Sequence, residues 1–380
     1  MGLDGFLSII RKKYPSVLIN EHISNYAYNY VFLDISSYIY KYICIFGNKN
    51  PQWISSMLQL FLTLQVNKVN IVPVFDGKPP DAKKDEIDER KEKREKIKDK
   101  IKTIEKVIEK IKENISLSEE EQKITEEILT KIKEKEQTVN FKRLLSLTSS
   151  VKPDIKDESN KKFTENDIND LQQHISNIQK QMVYIGKREI DILKDLLNTL
   201  GIRFMTAPEE SEAYCCYMVK NGYGSAVISC DTDCFAHGAK TVILNFDPKT
   251  AMIEKVNLDQ LLQELGLSHE QFVDYAILIG CDYNKKNTLP KVGPVKALEL
   301  IKKFGSIDNI EGYDISILNH QHIRTLFNPE YKPMKKLTNK KVNKDALIGF
   351  IEEHNLRLSY ERIESMIKII NLEPNIVFSD

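Results

Sequence analysis

The chain has 380 residues, with 55 lysines and arginines against 55 aspartates and glutamates. That length allows one large domain or two ordinary ones, and zero net charge excludes a uniformly basic nucleic-acid coat, so only the distribution of charge can make a DNA face. Six cysteines without CxxC or zinc spacing, and no signal peptide or long uncharged apolar run, lead us to expect free thiols in a soluble, intracellular protein with no membrane contact.

In chain order, Tyr30–Leu33 runs apolar into Asp34 and Val69–Phe75 runs apolar into Asp76. Both have the pattern of a buried parallel strand ending in a carboxylate. A helical stretch at Gln52–Gln65 lies between them, and this strand–helix–strand unit puts Asp34 and Asp76 at one sheet edge. From Pro79 the composition changes to lysine, glutamate and isoleucine. Ile97, Ile101, Ile104, Ile108, Ile111 and Ile115 keep a heptad register. Ser118 and Glu121 fit a capping box, after which Ile124, Ile128 and Ile132 resume an apolar stripe. An antiparallel coiled-coil hairpin with solvated outer faces is expected, then a linker over Ser146–Phe163 and a long helix from about Asn166 to Leu200.

The most informative stretch is Ala207–His237, which carries Glu210, Glu212, Asp231 and Asp233. Pro208 and the glutamates read as the first turn of a helix to Lys220, stopped by Asn221-Gly222. Val227-Ile228 reads as a strand whose end delivers Asp231-Thr-Asp233, and sites in open α/β sheets form outside the carboxyl ends of strands. A first-turn glutamate often only complements the helix dipole, and one Asp-x-Asp is usually a solvated turn. Four converging acids repel unless a cation sits between them, and a divalent ion is the natural candidate. Residues two apart do not share a helix face, so Glu210 and Glu212 serve one ion only if the helix starts late or one reaches through water. Further on, Thr241–Phe246 reads as a strand and His269–Gly280 as a helix delivering Asp282. A Gly293-Pro294 turn between helices offers backbone groups to a phosphate. A basic segment, Asn328–Lys344, precedes an amphipathic helical pair at Asp345–Asn371.

Asp34, Asp76, Glu210, Glu212, Asp231, Asp233 and Asp282, in the contexts Phe32-Leu-Asp34, Val74-Phe-Asp76-Gly-Lys-Pro-Pro80, Ala207-Pro-Glu-Glu-Ser-Glu-Ala213, Asp231-Thr-Asp233-Cys-Phe and Leu278-Ile-Gly-Cys-Asp282-Tyr, resemble the flap endonuclease family of structure-specific 5′ nucleases. The resemblance covers most of residues 1–82 and 185–371. It implies an α/β fold: a central, mostly parallel sheet flanked by helices (a PIN-like nuclease core), a long helical or coiled-coil arch insertion and a C-terminal helical region. The expected divisions are 1–82 and 185–330 for the core, the latter with a helix–turn–helix, 83–184 for the arch and linker, and 331–380 for the C-terminal helices.

The resemblance further implies a phosphodiesterase with two Mg²⁺ ions, for which Mn²⁺ substitutes, acting on 5′-flap or branched DNA in replication or repair. Asp34, Asp76, Glu210 and Glu212 would serve one ion and Asp231, Asp233 and Asp282 the other, with no histidine nucleophile and His237 structural. Lys83 and Arg90 match the family's catalytic lysine and arginine, and seven residues' spacing puts them on one helix face. Arg94 lies a turn further on, Tyr40 matches a base-stacking tyrosine, and Gly2 a processed N-terminus that approaches DNA once Met1 is removed. Gly293, Val295 and Lys296 match contacts to downstream duplex, where the family holds a K⁺ ion; here the approach to Gly293 is longer and Lys291 replaces a glycine. The arch is longer than usual, the Tyr40–Asp76 interval is shorter, and Asn371–Asp380 lacks a sliding-clamp motif. Ile10–Pro15 is similar to the 5′→3′ exoribonucleases. The alternatives are therefore a 5′→3′ exonuclease on DNA or RNA, and an inactive nucleic-acid-binding scaffold that recruits protein partners through the coiled coil.

Overall fold

The structure, a computed structural model, describes residues 2–144, 163–179, 184–332 and 339–371, with side chains omitted for 135–144. The strands are β1 (Ile19–His22), β2 (Tyr30–Asp34), β3 (Asn70–Phe75), β4 (Met205–Thr206), β5 (Ala226–Ile228), β6 (Thr241–Asp247) and β7 (Met252–Asn257). The helices run α1 (Phe6–Lys13), α2 (Ile35–Phe46), α3 (Gln52–Val66), α4 (Lys84–Lys112), α5 (Glu119–Leu144), α6 (Glu165–Gln179), α7 (Lys187–Thr199) and α8 (Ser211–Lys220). They continue as α9 (Asp233–Ala236), α10 (Leu258–Leu265), α11 (His269–Ile279), α12 (Pro294–Phe304), α13 (His320–Leu326), α14 (Lys344–Glu353) and α15 (Tyr360–Asn371). The chain forms two compact units, one of Met1–Asp88 with Tyr184–Asp380 and one of Glu89–Val183.

In the first unit the strands form one sheet in the order β1-β7-β6-β5-β2-β3-β4. The pairings β2–β3, β2–β5, β3–β4 and β5–β6 are parallel, while β1–β7 and β6–β7 are antiparallel. Val31, Phe32 and Leu33 are buried on both sides of the sheet, as expected for a central parallel strand covered by helices on both faces. The register sets Leu33 beside Ile228 and Asp34 beside Val74. The ends of β2, β3 and β5 therefore open at the same edge, and this shared edge is what positions the site.

Two helices, not one, connect β2 to β3. The unexpected α2 has the sequence ISSYIYKYICIF, rich in residues that favour strands. It is helical because the Asp34 side chain caps it, accepting from Ser37 N at 3.4 Å, and because Ile35, Tyr38, Ile39, Tyr42 and Ile43 form a buried stripe. The helix expected from Pro208 begins only at Ser211, with Glu210 extended at its N-cap. The single helix expected over Asn166–Leu200 is two. Residues 184–186 are not helical, and Gly186 starts α7 from an extended backbone, with Glu189 accepting from its N–H at 2.9 Å.

The second unit is a three-helix body where a two-stranded hairpin was expected. Ile101, Ile104, Val107 and Ile108 of α4 pack with Ile128 and Leu129 of α5 and with Leu171, Ile175 and Ile178 of α6. Burying both Val107 and Ile108 widens the stripe beyond a two-helix seam, which is what a third helix requires. Ile115 leaves the register: the chain reverses at Asn114 (φ 55°) and Ile115 is exposed. The capping box is formed, with Ser118 N donating to Glu121 Oε2 at 2.9 Å and Glu121 N to Ser118 Oγ at 3.3 Å. Hydrogen bonds from Lys110 and from Ser118 hold the Glu121 carboxyl down at about 2. Apart from Phe163, the expected linker lies outside the described residues.

Candidate active site

All seven acids singled out in the sequence stand in the first unit. Asp34 ends β2 and Asp76 follows β3; Glu210 and Glu212 lie at the start of α8; Asp231 and Asp233 follow β5; Asp282 follows α11. Asp34, Glu210, Glu212, Asp231, Asp233 and Asp282 are buried. Glu210 and Glu212 face one site because the former is in the extended N-cap and the latter in the first turn, so the helical constraint on residues two apart does not apply. The loop after β3 meets the loop before α8 closely: Gly77 N donates to Glu209 O at 2.6 Å, and a Cβ on Gly77 would stand 2.2 Å from Ala207 O.

A row of serines orders the first pair of acids. Ser211 Oγ lies 2.7 Å from both Asp34 Oδ1 and Asp76 Oδ1, and Ser211 N donates to Asp76 Oδ1 at 2.9 Å. Ser229 Oγ donates to Asp34 Oδ2 at 2.8 Å and Ser36 Oγ to Asp76 Oδ2 at 2.5 Å. One hydroxyl carries one proton, so Ser211 Oγ donates to one of the two carboxylates at a time. Burial, with Asp76 alongside, pushes the Asp34 carboxyl up to about 6.

The other acids gather around a lysine. Lys83 Nζ lies 2.5 Å from Glu210 Oε1, 3.1 Å from Glu212 Oε1 and 3.2 Å from Asp282 Oδ2. Burial opposes its charge, but Glu212, Glu210 and Asp282 outweigh this and push the ammonium well above the usual lysine range. Tyr283 OH donates to Glu210 Oε2 at 2.8 Å. Asp233 N donates to Asp231 Oδ1 at 2.9 Å and Asp282 N to Asp233 Oδ2 at 3.3 Å. Burial first, then carboxylate neighbours, pushes Glu212 and Asp233 well above the ordinary carboxyl range. Glu210 is also raised, by burial against the pull of Lys83.

This donor set fits a hard divalent cation. Oxygen atoms of Glu212, Asp231 and Asp282 lie within 4.8 Å of one another, and buried Asp233 Oδ1 has no hydrogen-bond partner. Carboxylate oxygen is the ligand Mg²⁺ and Mn²⁺ take. The raised acids also set a pH dependence. A carboxyl whose pKa is higher folded than unfolded favours the folded state when protonated, so stability falls as pH rises from the unfolded value through the folded one. For Asp34 the window runs from its ordinary 3.8 to about 6. With EDTA present, the melting temperature is expected to fall between pH 4.5 and pH 7, less steeply in Asp34→Asn. Saturating Mn²⁺ at pH 7 should restore about 2–3 kcal/mol at a hundredfold excess over Kd, read as a rise in melting temperature.

Gly2 (φ 79°) is buried against the same cluster. A Cβ there would stand 2.2 Å from Asp231 Oδ1, and Leu3 N donates to Thr232 Oγ1 at 2.8 Å. His237 is buried between the Tyr283 and Phe327 rings, and burial with nearby Lys83 lowers it to about 3, so it is neutral. Tyr40 stands exposed on α2 and is no core tyrosine. Gly293 caps α12 with open space around it, Val295 is exposed, and Lys296 pairs loosely with Glu299 at 3.8 Å. Lys291 takes a left-handed backbone (φ 62°) that glycine adopts freely. Lys83 closes a short 3₁₀ turn, Asp81–Lys83, and is not part of α4; Arg90 and Arg94 stand on α4 within the second unit.

Ser36, Ser211, Ser229 and Tyr283, which hold the acids, are not marked as site residues by the sequence alone. Only Ser211, between the two glutamates, and Tyr283, next to Asp282, carried a signal of position. Four of the six cysteines are buried and all are free thiols, and among the described residues no helix is long and apolar enough to cross a membrane.

The XPG N-terminal domain description matches residues 1–97 and the XPG I-region residues 201–282. Flap endonuclease 1 of Homo sapiens is 26% identical over 323 residues, 82% of this chain and 68% of its own length. The "Probable RAD2-like endonuclease 369L" of Invertebrate iridescent virus 6 is 26% identical over 362 residues, covering 86% and 79%. In fold, the catalytic core of Rad2 in complex with DNA substrate matches with a TM-score of 0.61 at 17% identity, over 97% of this chain and all of that one (100%). Flap endonuclease-1 from Methanococcus jannaschii matches at 0.58 and 19% identity, over 94% and 97%. Since the two matched regions carry all seven acids of the largely buried site at the sheet edge, the chain is a 5′ nuclease of the flap endonuclease/XPG family, enzymes that hydrolyse phosphodiester bonds.

Proposed function

We propose that this chain is a divalent-metal-dependent, structure-specific nuclease that cuts 5′-flap or branched DNA near the single-strand/double-strand junction, in replication or repair. One observation carries the reading: acids from five separate segments, all but Asp76 buried, share one network that runs through Ser211, Ser229 and Lys83. Asp34, Asp76, Glu210 and Glu212 would hold one ion and Asp231, Asp233 and Asp282 the other, and Glu212 also stands within reach of Asp231 and Asp282. When bound, two Mg²⁺ or Mn²⁺ ions supply Lewis-acid stabilisation for an in-line displacement at phosphorus.

The protein's own groups do the rest. Lys83 presents a fixed ammonium where negative charge builds on the phosphate; Arg90 carries the proposed second catalytic cation, and Arg94 is proposed as a nucleic-acid contact. Tyr40 offers an exposed ring to a base beside the cut, a contact indifferent to sequence. Gly2 brings the N-terminal backbone beside Asp231, and Gly293, Val295 and Lys296 meet the downstream backbone at the α12 N-terminus. The helical insertion is free to serve the single strand or a protein partner.

The test is a labelled panel of 5′-flap duplex, nicked duplex, blunt duplex and single-stranded RNA, with Mg²⁺ or EDTA. A single Mg²⁺-dependent cut near the flap junction is expected. Stepwise products from a blunt or RNA 5′ end would make the protein a 5′→3′ exonuclease instead. Binding with no cleavage of any substrate would make it a scaffold.

A further inference from the structure

Asp282 is held by two lysines, one on each carboxylate oxygen. Lys83 Nζ stands 3.2 Å from Oδ2 and Lys285 Nζ stands 3.2 Å from Oδ1. They meet different oxygens and differ in burial. The Lys83 side chain is 10% exposed, the Lys285 side chain 26%, and the Asp282 carboxylate between them 2%. Lys285 is therefore the more solvent-accessible of the two cations on this carboxylate.

The turn that carries Lys285 is built, not incidental. Asn284 is buried, and its side-chain oxygen accepts from Cys281 N at 3.0 Å while its amide donates to Ile277 O at 2.9 Å. Tyr283 is anchored to Glu210. With its two predecessors fixed, Lys285 stands three residues past Asp282 with a stem long enough to stay on that carboxylate or swing outward.

We propose that Lys285 is a further active-site cation, competing with a divalent metal for Asp282 and contacting the backbone phosphate of the substrate once the metal holds that carboxylate. The inference rests on the metal reading given above. An ammonium and a divalent ion on one carboxylate repel strongly at this burial. Of the two lysines, the less buried one gives way at least cost. A substrate phosphate would then be the anion that takes up the displaced ammonium.

The experiment titrates Mn²⁺ calorimetrically into the metal-free full chain as wild type, Lys285→Ala and Lys285→Arg, and measures cleavage of a 5′-flap duplex at saturating Mg²⁺. Lys285→Ala is expected to bind Mn²⁺ about fivefold more tightly, because its competitor is gone, yet to lose about tenfold in kcat. Lys285→Arg should return both quantities toward wild type. That pairing, tighter metal with slower turnover, distinguishes the assignment from a role in stapling the turn, which would lower the melting temperature and weaken Mn²⁺ binding. Unchanged or weaker Mn²⁺ binding by Lys285→Ala, beside normal binding by wild type, overturns the assignment and leaves the metal site standing. Unchanged kcat in Lys285→Ala also overturns it. Failure of wild type to bind Mn²⁺ overturns the metal reading and this assignment with it.

Discussion

Asp233→Ala is expected to lower Mg²⁺-dependent cleavage of a 5′-flap duplex by about 10³-fold or more, the loss of several kcal/mol of metal-borne transition-state stabilisation. Duplex affinity, measured in Ca²⁺ or EDTA, should change by less than about threefold, because phosphate contacts elsewhere on the surface set it. The same variant should be more stable than wild type in EDTA at neutral pH. Asp233 is fully buried, has an oxygen with no hydrogen-bond partner, and is pushed well above the usual carboxyl range by burial and by Asp231 and Asp282. Removing a charge held against such forces relieves the fold, a trade of stability for function common at active sites. Wild-type turnover by Asp233→Ala in Mg²⁺ would remove Asp233 from the metal site, and a lower melting temperature would contradict the electrostatic account.

Lys83→Ala is expected to act in the opposite direction on stability. Its ammonium lies within 3.2 Å of three buried carboxylates, those of Glu210, Glu212 and Asp282. Removing one partner of a buried ion pair typically costs about 3–5 kcal/mol, and the loss should be read in EDTA at pH 7 by urea denaturation. Saturating Mn²⁺ should recover much of it, since a divalent ion meets the same acids. Cleavage in Mg²⁺ should still fall by about 10²–10³-fold, in kcat more than in affinity. Equal losses in kcat and in DNA affinity would instead make Lys83 a general phosphate contact. The contrast between Asp233→Ala and Lys83→Ala, one relieving and one worsening the excess of buried negative charge, tests the electrostatics independently of the chemistry.

Much of this site was legible because its parts are local. A buried apolar run ending in an acid marks both a parallel strand and its functional end, so Asp34 and Asp76 could be placed from a few residues each. The capping box at Ser118 and Glu121, and the apolar stripes of α4 and α5, depend only on neighbours within a turn or two. The failures were of two kinds. Where local signals conflict, context decided: α2 has strand-favouring residues, but its cap and buried face make it helical. Where a signal was read too simply, geometry corrected it, as when the break before Gly186 divided one expected helix into two and α6 completed a third face against α4 and α5.

By itself the sequence determined which residue types are present at strand ends and helix starts, and hence the acidic, metal-fitting chemistry of the site. Tertiary structure alone decided which groups hold those acids. Ser211 meets Asp34 across 177 positions, Ser229 meets it across 195, and Lys83 meets Glu212 across 129. No spacing rule reaches so far, because such contacts depend on strand order and on where α8 begins. Strand order is set by how the whole set of apolar faces is buried at once, a property of the assembled core and not of any one segment.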